Sequence, residues 1–204
     1  MPFIQTTHPH QAQGETRAMY ARQQQHHGYV PNYAKAFSHR PQLMGLWGKL
    51  LSGIKQPSDQ RRFELVTLAA ARALRNSYCS LAHAKTLAET VGEAEVEQLL
   101  FDTEANPVDA AIVAFATKVA REPNRITAGD VEQLRQHEIS DAEIFDIVAT
   151  VAARAFFTTL LDGLGVEADA SYQELPEKLR EALVVGRPLD FEDAARLPQE
   201  HVTT

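Results

Sequence analysis

A chain of 204 residues with a formal net charge of −7 is long enough to bury a real core, and it carries no basic footprint for nucleic acid or an anionic membrane. Its longest apolar runs, 63–74 and 147–161, are interrupted by Glu64, Arg72 and Arg154 and fall short of the ~20 residues a bilayer span needs. The polar, His/Gln-rich start has no apolar stretch of a signal peptide, and one cysteine in the whole chain suits a reducing compartment; an acidic cytoplasmic protein is expected.

Ala, Leu, Glu, Gln and Arg dominate, and no alternating strand pattern stands between turn signals, so an all-α fold is predicted. Residues 1–14 read as a disordered tail, followed by an N-terminal helical arm over 15–55. Within the arm, a helix over 15–27 stops at Gly28, and a short one over 32–37 follows Pro31. A third over 41–54 sets Leu43, Leu46, Trp47, Leu50, Leu51 and Ile54 at the spacing of a buried stripe.

The core, 56–185, opens with Ser58 or Asp59 as N-cap of a helix to about 75, apolar on most sides as a central helix would be. Further helices are predicted over 77–91, ended by Gly92, then 93–103 and 107–121, the last started by Pro107. Thr127 caps a helix over 128–137. Ser140 to Glu143 fits a capping box for a long helix to about 161, and a short helix closes the core over 175–183. The stretch 186–204, with Pro188 and Pro198, reads as an extended C-terminal tail.

Cys79 is the residue with chemistry to offer. It cannot form an intramolecular disulfide, so any role is that of a nucleophile, a redox group or a partner for an external thiol. His83 lies four residues on, hence on the same helix face, and Asn76 or Ser77 can cap the helix start just ahead. Both features favour a thiolate, predicting a thiol pKa below the ~8.5 of free cysteine and partial access to solvent. Glu64, set between Phe63 and Leu65, reads as a buried carboxylate whose raised pKa would suit proton relay. Counting back around Asn76 as a simple hairpin places Glu64 opposite Ala88, with His83 its nearer partner than Cys79. Tyr78 could hydrogen-bond a peroxide or simply pack, and Asn76 reads as a cap. His8, His10, His26 and His27 form no ligand pattern, so no metal is expected. Without a Gly-rich phosphate loop, no cofactor is expected either.

The frame Glu64, eleven residues, then Asn76-x-x-Cys79-x-x-x-His83 resembles the signature of the alkylhydroperoxidase D-like, or carboxymuconolactone decarboxylase, superfamily. There a Cys-x-x-Cys pair precedes the histidine, and Asn76 stands here in place of the first cysteine. Gly28 to Asn32, Phe37 to Pro41 and the Ala-rich stretch 146–161 look like the peroxidase-related branch, and the likeness runs from about 15 to 183.

The resemblance implies a helical bundle that assembles as a homo-oligomer (dimer, trimer or hexamer) with its site near subunit contacts. It further implies catalytic Cys79, His83 and Glu64, supported by Tyr78 and Asn76. The activity expected is antioxidant reduction of a small-molecule hydroperoxide, of peroxiredoxin type, completed by an external thiol or dithiol because no resolving cysteine is present. Two alternatives stay open: a lyase of the carboxymuconolactone decarboxylase type, in which Cys79 is incidental, and a non-catalytic redox sensor or scaffold.

Overall fold

The computed structural model describes residues 2–102 and 106–189, which form ten α-helices and no strand. The arm holds α1 (Gly14–His27), α2 (Asn32–Ala36) and α3 (Pro41–Lys55). The core holds α4 (Gln60–Ala73), α5 (Ser77–Val91), α6 (Glu93–Phe101), α7 (Pro107–Arg121), α8 (Ala128–Arg135), α9 (Asp141–Gly163) and α10 (Glu177–Leu183).

The helix starts are fixed by the residues that signalled them. Asp59 accepts from the Arg62 N–H at 2.9 Å, and Asn106 from the N–H groups of Val108 and Asp109. Thr127 with Asp130 and Ser140 with Glu143 close complete capping boxes. Gly28, in the left-handed region at φ 81°, stops α1.

Helix α4 is the central element, buried along nearly its whole length, and packs against α5, α7 and α9. One side of it, through Leu68 and Ala71, joins an apolar cluster with Leu81, Leu87, Leu161, Leu179 and Leu183. The other, through Leu65, Val66, Ala69 and Ala70, meets Ile112, Phe115, Leu134 and Val151. Helix α9 alone among the described residues is long and apolar enough to cross a membrane by composition. Half of that stretch is buried inside the fold, as a core helix requires.

Two expectations, one about the N-terminal tail and one about the arm, are corrected. Residues 2–14 are not loose. The Phe3 N–H donates to the Leu164 carbonyl at 2.8 Å, the Thr7 N–H to Ser38 Oγ at 3.1 Å, and Tyr20 Oη to the Thr7 carbonyl at 2.7 Å. The Phe3 ring also lies where a Cβ on Gly165 (φ +66°) would stand, only 2.7 Å away, so the contact needs glycine there. Polar composition suggested disorder, but these polar groups find partners in the arm and after α9.

The stripe on α3 is the second correction. Leu43, Leu46 and Leu50 are exposed, at 38, 62 and 55 %, and Met44 is the helix's buried residue. Trp47, Leu51 and Ile54 are half-buried, and Trp47 stacks on Phe157 with ring centroids 4.2 Å apart. The start of the C-terminal tail, 186–189, crosses the α5 N-terminus. There Ser77 Oγ donates to the Arg187 carbonyl at 2.8 Å and accepts from the Gly186 N–H at 3.0 Å. The rest of the expected tail lies outside the described residues.

Candidate active site

Helices α4 and α5 meet in a three-residue joint, with Arg75 in the left-handed region at φ 59°. This joint brings Glu64 against His83, their side chains bonded at 2.7 Å between Oε2 and Nδ1. Lys55, at the end of α3, reaches the other carboxylate oxygen at 3.4 Å. Glu64 is 2 % exposed. Burial works to raise its pKa, but the bond and charge of His83 together with Lys55 win, and the carboxyl sits below its ordinary value. The expected raised pKa is thus corrected: Glu64 is held as a carboxylate.

Burial, then the nearby Arg154 cation, lower the His83 pKa against the pull of Glu64, which favours neutral imidazole. With Glu64 ionised, His83 Nδ1 carries the proton it donates to Oε2. Nε2 is left with a free lone pair, which makes His83 a base oriented by a carboxylate.

Asn76 is the N-cap of α5: its Oδ1 accepts from the Cys79 N–H at 2.7 Å. The thiol one turn before His83 is 1 % exposed, not partly accessible. Burial pushes its pKa up, with Arg154 opposing, so the expectation of a lowered thiol pKa is overturned in the resting site. Being near a helix start does not compensate for loss of water around the sulfur.

Tyr78, next in sequence, aims elsewhere. Its hydroxyl donates to Asp169, so it does not face the sulfur as a peroxide donor would. Asp169 also accepts from the Asn32 N–H at 2.8 Å, tying the arm, α5 and the segment after α9 together.

The residue that sequence reading missed is Arg154. From α9 its Nη1 approaches Cys79 Sγ at 3.6 Å, and its guanidinium lies over the rings of Trp47 and Phe157, at 5.7 and 5.6 Å. The signal was present, as one charge breaking an apolar helix. Among the described residues no group of His, Cys, Asp or Glu is placed to hold a metal.

No protein-family model and no curated protein matches the chain. Solved structures do. An uncharacterized peroxidase-related protein with the alkylhydroperoxidase AhpD core, from Ralstonia eutropha JMP134, superposes with a TM-score of 0.72 at 20 % identity, over 84 % of this chain and 94 % of its own. A peroxidase-related protein from Silicibacter sp. TM1040 gives 0.69 at 21 % identity, over 78 and 87 %. The chain has the alkylhydroperoxidase D-like fold.

The same fold carries other chemistry. The debrominase Bmp8 superposes with a TM-score of 0.71 at 15 % identity, over 89 % of this chain and 97 % of its own. Within this AhpD-like frame the chain pairs Glu64 with His83 and places Arg154, not a second thiol, beside the cysteine.

Proposed function

We propose that the protein is a thiol-dependent hydroperoxide reductase in which Cys79 is the nucleophile and the Glu64–His83 pair moves the proton. The observation that carries this reading is the half-buried 2.7 Å bond from His83 Nδ1 to Glu64, which leaves Nε2 as a base one helical turn from the chain's single thiol. The Cys79 proton passes to His83 Nε2, and the thiolate attacks the terminal oxygen of a hydroperoxide, ROOH. The S–O bond forms as the O–O bond breaks. The leaving alkoxide takes the proton back from His83, giving Cys79 sulfenic acid and ROH. One external thiol condenses with the sulfenic acid, releasing water, and a second frees Cys79 as an external disulfide forms.

Trapping of sulfenic acid by dimedone tests this. One equivalent of peroxide should label wild type at Cys79 and leave Cys79→Ser unlabelled, with His83→Ala slowed by about a hundredfold. Because burial holds the thiol pKa above its ordinary value, labelling should still be rising with pH at pH 9. On the acid side, the lowered His83 pKa keeps the base form present below pH 6.5. Absence of labelling in wild type overturns the reading.

The burial of Cys79 favours one second reading, a lyase of the carboxymuconolactone decarboxylase type in which His83 and Glu64 do acid–base work alone. That activity would survive Cys79→Ser. In either case a cytoplasmic homo-oligomer is proposed, a second copy covering Leu46 and Leu50 of α3 or Phe145 and Phe156 of α9, which are 62, 55, 71 and 41 % exposed. A single monomeric species in sedimentation at micromolar concentration would contradict it.

A further inference from the structure

Arg154 is 2 % exposed, yet no described carboxylate pairs with it. The carboxylate of the relay, Glu64, is committed to His83 and Lys55. The Arg154 Nε is buried without a hydrogen-bond partner, and among the described residues Nη1 meets only the Cys79 sulfur, at 3.6 Å. Trp47 and Phe157 take the guanidinium against their rings, which fixes the fork but supplies no counter-charge. A buried cation with no described anion beside it is costly, which raises the question of what uses the charge. The one described group in hydrogen-bond reach that can become an anion is the thiol.

We infer that Arg154 is a catalytic residue of the same site, the counter-ion of the Cys79 thiolate: it makes ionisation of a sealed sulfur possible and faces the negative charge that appears as the O–O bond breaks. The assignment rests on Cys79 being the nucleophile. Other groups act on the same sulfur. Asp162, also from α9, opposes ionisation, and Tyr172 lies within electrostatic range from the turn before α10. His83 is on the same helix as the thiol, with Glu64 and Lys55 behind it. Arg154 is the cation among them that touches sulfur.

One cysteine in the chain gives one resonance, so labelling with [13Cβ]cysteine lets NMR follow the thiol titration without any reagent entering the site. Arg154→Met fills similar space against the two rings without charge. Its titration should move up by about one unit or more, leaving roughly a tenth of the wild-type thiolate at a given pH. Arg154→Gln should behave the same way, and Arg154→Lys should recover part of the shift. Melting temperature gives a readout of opposite sign: with an unpaired buried charge removed, Arg154→Met should unfold at or above the wild-type temperature. An arginine kept only for packing would lower it.

Titration curves for the Met and Gln variants that overlay wild type overturn the assignment, and either variant alone suffices if the other does not fold. The titration uses no peroxide, so it can succeed even where turnover is absent. Failure to trap sulfenic acid in wild type, with the Arg154 shift present, would refute the peroxidase reading and leave the thiolate pairing standing.

Discussion

Asp169→Ala is expected to lower the unfolding free energy by about 3 kcal/mol, because it strips partners from buried groups that water cannot reach. Tyr78 Oη donates to Asp169, and the Asn32 N–H donates to it at 2.8 Å. Nearby, Tyr29 Oη and Ser171 Oγ bond at 2.9 Å and the Asn32 side chain reaches the Glu167 carbonyl at 3.2 Å. The arm is therefore latched to the core around one carboxyl. Urea unfolding at pH 7 should show a lower midpoint with an unchanged slope. Tyr78→Phe, which removes one donor and keeps the ring, should cost only about 1 kcal/mol and leave Cys79 oxidation intact.

The latch has a pH dependence of known sign. Burial holds the Asp169 carboxyl above its ordinary 3.8, so between the two values the folded protein keeps a proton that the unfolded chain gives up. Its contribution is fully present below pH 3.8, declines as pH rises through the folded value and is flat above it. Asp169→Ala should abolish that segment of the stability profile. A variant as stable as wild type would mean that the arm is held by its apolar contacts alone.

The helices could be read from sequence because their ends are chemically marked. Asn76, Thr127 and Ser140 cap by side chain, Pro41 and Pro107 start helices, and Gly28 ends one. The relation of Cys79 to His83 was legible for the same reason, being internal to one helix. The relation of Glu64 to His83 depends on the joint between two helices. A hairpin count put Glu64 opposite Ala88, more than a turn from its actual partner, because nothing local announces that Arg75 adopts a left-handed conformation.

Arg154 was visible only as an interruption, since its role comes from three elements meeting: α3 through Trp47, α5 through Cys79 and α9 itself. The apolar spacing of Leu43, Leu46 and Leu50 does mark one face of α3, but that face is exposed. Periodicity reports that one face is apolar, and does not say which surface covers it.

Asn76→Cys is expected to change what the site can do with an oxidised sulfur. Asn76 is 1 % exposed, at the N-cap, and its side chain already bends back to the Cys79 N–H at 2.7 Å, so a sulfur placed there starts close to the Cys79 side chain. Three residues apart across a helix start is also a separation a disulfide accepts. Peroxide should first give Cys79 sulfenic acid, and the thiol introduced at position 76 should then condense with it, releasing water and forming an internal disulfide. Free-thiol titration should fall from two to none after one equivalent of peroxide and return to two with a dithiol. Wild type must recruit each reducing thiol from solution, so the variant's dithiol-dependent turnover should rise at least about tenfold. Losing the cap should cost about 1 kcal/mol. If the folded variant keeps both thiols free after oxidation, either Cys79 forms no sulfenic acid, which dimedone would reveal, or the side chain at position 76 does not face it. The second outcome would remove the basis for aligning Asn76 with the first cysteine of the two-cysteine proteins.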